Sequence, residues 1–273
     1  MSPHNQGEIV PPGSYDQAAG PGHPLQQEAP VRNQRRNLLT APATYILVGI
    51  NCAVFLWMVL HGVSPSSPSI PQLLHFGATN PALILGYGQW WRLLTATFVH
   101  VGIIHIATNM WCLWNLGLLG EPLLGPFGLA AVYLLTGLAG NLLSLAFNVW
   151  VRDHISVGAG ASGAVFGIAG ILIVLLSNNK LPIPWQELRR LRRSVIQFAG
   201  LNLIIGLGTI FTNIIRIDNF AHVGGFLFGL ALGVPLIPRM TSGRTRYLRR
   251  QKLTFAAATF VLALFGYWIA NLK

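Results

Sequence analysis

Three polar clusters inside apolar stretches carry the residue types of a hydrolytic site. A lone serine, Ser162, stands among glycines in Gly160-Ala161-Ser162-Gly163 and opens an apolar run. His222 lies in Phe220-Ala221-His222-Val223-Gly224-Gly225, and His105 and Asn109 stand one helical turn apart in the stretch 101–110. A serine hydroxyl becomes an effective nucleophile only when a base takes its proton, and His222 is the available base. His105, Asn109 and the Ser162 backbone N–H could donate to the negative charge that acyl transfer places on a carbonyl oxygen. Each cluster also has a plainer reading. A serine in a membrane helix usually bonds back to a carbonyl one turn earlier. A histidine or a His–Asn pair can serve helix packing alone. Ionisable and polar groups are nevertheless costly in a bilayer, and three such clusters point to chemistry inside a membrane.

The elements that must position these residues are helices. The chain is 52% hydrophobic and 9% charged, with a mean hydropathy of +0.54, which excludes an ordinary soluble domain. Apolar runs long enough to span a bilayer fall at about 43–61, 101–120, 126–148, 161–178, 195–212, 219–237 and 253–271. Backbone groups in lipid must bond internally, so an all-α polytopic bundle is expected. Gly225, Gly229 and Gly233 repeat every four residues in the sixth run, and Gly163 and Gly167 do so in the fourth. Small residues at this spacing let helix backbones approach closely, which would bring Ser162 to His222. The polar stretch 151–157 reads as a loop entering the membrane, tolerated there only if it lines protein or a water-filled cavity.

Charge orients the bundle. Of the 18 basic residues, all but Arg92, Arg152, Arg216 and Lys273 precede the first run or lie between runs four and five or six and seven. With seven spans those places share one side, so the positive-inside rule predicts a cytoplasmic N-terminus and an outer C-terminus. The same rule makes runs two, four and six enter from the outer side, setting His105, Ser162 and His222 at one shallow depth. The basic loops are expected to orient helices and touch anionic lipid, not to bind nucleic acid. Cys52 and Cys112 form neither a disulfide framework nor a metal spacing and read as small apolar fillers.

Residues 1–38, rich in Pro, Gln and Gly, are expected to be a disordered cytoplasmic tail without a signal-peptide layout. Residues 39–237 form the six-helix core, 238–252 a basic cytoplasmic loop and 253–273 a seventh span. The segment 62–100 is expected to be a partly embedded outer structure, with Trp91 and Arg92 as an interfacial anchor. Residues Glu187 to Arg193 suggest a short surface helix. Asp218, one turn before His222, reads as a helix cap and not as a third catalytic group, so a Ser-His dyad is expected. No His-Glu-x-x-His motif is present, nor the Tyr-Asp and Gly-Asp pair of an aspartyl intramembrane protease; no metal and no cofactor is expected.

Over about residues 40–237 the chain resembles the rhomboid intramembrane serine proteases, with several separated motifs in the expected order. These are Trp91-Arg92; His100, His105 and Asn109 as His-x4-His-x3-Asn; Glu121 with Gly125; Gly160-Ala161-Ser162-Gly163; and Ala221-His222-Val223-Gly224-Gly225 with Gly229. The resemblance implies Ser162 as nucleophile, His222 as general base, and His105, Asn109 and the Ser162 amide as the oxyanion hole. It gives His100 a supporting place near the mouth of the site, and implies a six-plus-one helix arrangement. Phe166 is a departure, because many members carry tyrosine four residues after the serine; the ring can still stack beside His222 without a hydroxyl. The activity implied is cleavage of membrane proteins near the outer face, with small residues at the cut. The rival readings are a non-catalytic rhomboid-like binding or chaperone protein and, more remotely, a transporter, whose polar path should extend through the midplane.

Overall fold

A computed structural model of the chain describes residues 41–179, 181, 183–208, 218–237 and 243–272. The expected N-terminal tail lies outside the described residues, as do Lys180, Arg216, Arg239 and Lys273. In chain order the helices are α1 (Pro42–Leu60), α2 (Ile70–His75), a π-helical turn (Ala82–Gly86), α3 (Arg92–Thr95), α4 (Ile103–Trp150), α5 (Ser162–Leu175), α6 (Trp185–Gly208), α7 (Asn219–Leu236) and α8 (Gly243–Ala270). No strand occurs among the described residues, and the molecule is an all-α polytopic membrane protein.

Four of these helices are long and apolar enough to cross a membrane: α1, α4, α7 and α8. The 48-residue α4 holds two of the expected spans. Gly125 breaks it with φ 75° and ψ 165°, a backbone region glycine enters without steric cost, between Pro122 and Pro126. The fourth expected span is shorter than its apolar run: α5 has 14 residues, about 21 Å at the usual rise, against roughly 30 Å of hydrocarbon. It stands at the centre, buried on nearly every face, which suits a helix apolar all round.

Two boundaries and one side-chain role differ from the sequence reading. The surface helix expected before the fifth span is continuous with it in α6, with Leu188 and Val195 buried on one face. The basic loop expected at 238–252 is helical from Gly243, since arginine, glutamine and leucine there all favour helix. Trp91 is 52% exposed, but Arg92 is only 7% exposed and is not a headgroup anchor. Its Nη1 donates to the carbonyls of Leu74 and Ala78 at 2.7 and 2.9 Å, and its Nε to Gln89 Oε1 at 2.6 Å. A guanidinium has five donors, and the outer segment's turns supply acceptors for it.

Candidate active site

The loop from Val151 to Ala161 carries the chain from the end of α4 down to the start of α5, and the outer segment pins it. Thr79 and Gly158 exchange backbone hydrogen bonds at 2.8 and 3.2 Å, and Asn80 Nδ2 donates to the His154 and Ser156 carbonyls at 3.2 Å. Gly160 N–H donates to Ala96 O at 2.9 Å. Ala161 N–H donates to His100 Nε2 at 3.4 Å, while His100 Nδ1 donates to Phe98 O at 3.2 Å. His100 therefore works as a neutral bridge between the loop before α4 and the loop before α5. Burial first, then the nearby His105, holds its pKa down to about 3.

Ser162 is the first residue of α5, and no side chain caps that helix start. The first-turn N–H groups and the positive end of the helix dipole thus face the site, an arrangement that favours developing negative charge. Gly160 has φ 131°, and a Cβ there would meet the His105 ring at 2.6 Å, so glycine alone lets the loop pass the imidazole. His105 Nδ1 accepts from Val101 N–H at 3.4 Å, which assigns the proton to Nε2, the nitrogen lying against Gly160. Asn109 Nδ2 donates to His105 O at 3.0 Å within the helix. A second amide N–H remains available to a ligand.

Helices α5 and α7 meet backbone to backbone. A Cβ on Gly225 would collide with Gly163 O, and one on Gly229 with Gly167 O, so the four-residue glycine repeats form the contact expected of them. His222, in the first turn of α7, comes to lie over Phe166: the rings stack with centroids 4.4 Å apart and planes 15° from parallel. His222 Nδ1 is buried without a hydrogen-bond partner among the described residues. Asp218 caps α7, accepting from Ala221 N–H at 2.9 Å, and also accepts from Ser144 Oγ. Burial pushes its carboxyl above the usual range, opposed by these hydrogen bonds.

One cavity of about 390 Å³ joins these groups. Gly160, Ser162, Phe166, His105, Asn109 and His222 all line it. Gly163 lies behind Ser162 in the helix seam, His100 supports the loops from outside the lining, and Trp91 and Arg92 brace the outer segment away from the cavity. Sequence reasoning passed over Asn141, Asn202 and Thr108, which also line it, and treated Cys112, another lining residue, as filler. The rule that singled out His105 applies equally to Asn141 and Asn202, polar groups within apolar runs. Among the described residues no cluster of three or more His, Cys, Asp or Glu could hold a metal ion. The arrangement offers a hydroxyl, an imidazole and donors converging on one water-accessible space, the parts needed for acyl transfer.

Residues 87–239 match the family model of the Rhomboid domain. The chain is 35% identical over 197 residues to Rhomboid protease GluP of Bacillus subtilis (strain 168), covering 70% of this chain and 35% of that protein. It is 36% identical over 173 residues to RHOMBOID-like protein 7 of Arabidopsis thaliana, covering 62% of this chain and 50% of that one. With Rhomboid protease AarA of Providencia stuartii the identity is 30% over 225 residues, covering 76% and 77%. The chain thus spans between about a third and a half of the length of the first two of these relatives.

Proposed function

The chain belongs to the rhomboid family, and we propose that it is an intramembrane serine endopeptidase. The observation that carries this reading is the shared cavity: Ser162 and His222 stand on the first turns of two helices in backbone contact and open onto the same space. Ser162 Oγ attacks the scissile carbonyl while His222 takes its proton. The oxyanion forms among the Ser162 N–H, His105 Nε2–H and the Asn109 amide. His222 returns the proton to the leaving amine, and water entering the cavity hydrolyses the acyl-enzyme by the same steps in reverse order. Phe166 holds the imidazole by its face, and a dyad is favoured because Nδ1 of His222 has no hydrogen-bond partner among the described residues.

The substrates are membrane proteins with transmembrane segments, cut near the outer face, where the first turns of α4, α5 and α7 lie under the charge assignment. Residues 39–237 form the catalytic core, with the C-terminal span appended to it. The basic inner surface sets the N-terminus in the cytoplasm and the C-terminus outside, and the two bacterial protease relatives favour a bacterial inner membrane.

Mass spectrometry after exposure of the purified protein to a fluorophosphonate tests the reading without a substrate. A single adduct on Ser162 is expected, with its rate of formation cut by at least about 10³-fold in His222→Ala and no adduct in Ser162→Ala. No adduct on folded wild-type protein would favour the non-catalytic, membrane-protein-binding alternative.

A further inference from the structure

The outer part of α4's second half meets α7 along a seam of glycines. A Cβ on Gly140 would strike Ala221 O, and one on Gly224 would stand 3.0 Å from Gly140 Cα and 2.8 Å from Leu143 Cβ. On the opposite side Gly163 of α5 faces the same Ala221 carbonyl, 3.2 Å from where its Cβ would be. Close backbone packing of this kind is held by dispersion, which sets the separation of two helices more firmly than their sliding. His222 follows Ala221 directly, so any slide of α7 along its axis moves the imidazole past Ser162. A misplacement of about 1 Å is enough to cost two orders of magnitude in a reaction that depends on near-attack geometry.

We propose that Asp218 and Ser144 form the brace that sets this register, making Asp218 a positioning residue for His222 that acts through hydrogen-bond geometry and not through charge. Asp218 Oδ1 accepts from Ala221 N–H at 2.9 Å, which closes the first turn of α7. Its Oδ2 accepts from Ser144 Oγ, one turn beyond Gly140 on the same face of α4. The Asp218 carbonyl accepts from His222 N–H at 3.2 Å. One residue therefore ties α4 to the turn that carries the imidazole, adding a directional contact where the glycine seam supplies none. The carboxylate does not engage the imidazole itself, whose Nδ1 has no hydrogen-bond partner among the described residues. An asparagine could keep both links, its oxygen accepting from Ala221 N–H and its amide donating to Ser144 Oγ.

This inference rests on Ser162 and His222 being the reactive pair, and fluorophosphonate inactivation kinetics of the full chain separate the two. In Asp218→Ala the first-order rate at saturating probe should fall about 10–100-fold, while the half-saturating concentration stays within about threefold. Ser144→Ala should lose about 3–10-fold, and the double variant should be no more than about twofold slower than Asp218→Ala, since both remove one link. Asp218→Asn should stay within about threefold of wild type, because the acceptor and the link to Ser144 survive. Thermal unfolding midpoints show which variants fold, and Ser144→Ala with Asp218→Asn carries the test if Asp218→Ala does not. Asp218→Asn as slow as Asp218→Ala would overturn the proposal by showing that the charge itself is used. A wild-type rate in Asp218→Ala or Ser144→Ala would overturn it as well. Wild-type protein that takes no adduct removes the underlying reading and this one together, whereas labelled wild type with unaffected variants removes only this one.

Discussion

The two ends of α4's first half treat buried polar groups in opposite ways. At the C-terminal end Glu121 accepts from Ala43 N–H, Thr44 N–H and Thr44 Oγ1 at 2.9, 2.8 and 2.7 Å, capping α1 from a neighbouring helix. Around the Gly125 kink, Tyr247 of α8 donates to Leu123 O and Leu236 O at 3.2 and 3.1 Å, and Gln251 Nε2 to Leu124 O at 2.7 Å. Those side chains turn toward backbone groups that a kink or a helix end has left exposed. At the N-terminal end His105 and Asn109 turn into a cavity, with Ser162 and His222 opposite them. Cost in the membrane alone does not distinguish the ends. Where a polar group is satisfied by backbone it holds helices together; where its remaining capacity faces open space it is free to meet a substrate.

The sharpest way to break this contrast is to separate the helices that share the cavity. Gly225→Val places a side chain against the Gly163 carbonyl, and should cost about 1–3 kcal/mol of stability together with loss of fluorophosphonate labelling at Ser162. Labelling at the wild-type rate would mean that the seam does not set the proposed dyad. Asn109→Ala, which removes a proposed oxyanion donor, should slow labelling by about 10–1,000-fold with the unfolding midpoint little changed. An unchanged rate would return Asn109 to a purely structural role, like Glu121. Glu121→Gln should do the reverse. It weakens the charge-assisted cap of α1, lowering stability by about 1–3 kcal/mol while the labelling rate of folded protein stays within about twofold. A strong loss of labelling in folded Glu121→Gln protein would show that this end also tunes the site.

Much of the site was legible in the residues themselves. Types and spacing picked out Ser162, His222, His105 and Asn109, and the four-residue glycine repeats in the fourth and sixth runs indicated which helices would touch. These signals are local: a helix places residues three and four apart on one face whatever else surrounds it. Phe166 came into view only through the resemblance to the rhomboid family, and its ring stacks on His222.

What only the folded chain decides depends on partners distant in sequence. Nothing near Arg92 in the sequence says that its guanidinium turns inward to Leu74 and Ala78, and the tryptophan beside it suggested the opposite. The bridge of Thr79 to Gly158 and the tie of His100 to Ala161 join loops separated by 79 and 61 residues, with no periodic pattern to announce them. Nothing in the sequence singles out Ser144, which only the path of the chain sets against Asp218. Helix period and the cost of polarity in lipid are written into the order of residues. Which donor meets which acceptor across the bundle is fixed only when loop closure and packing bring the helix ends together.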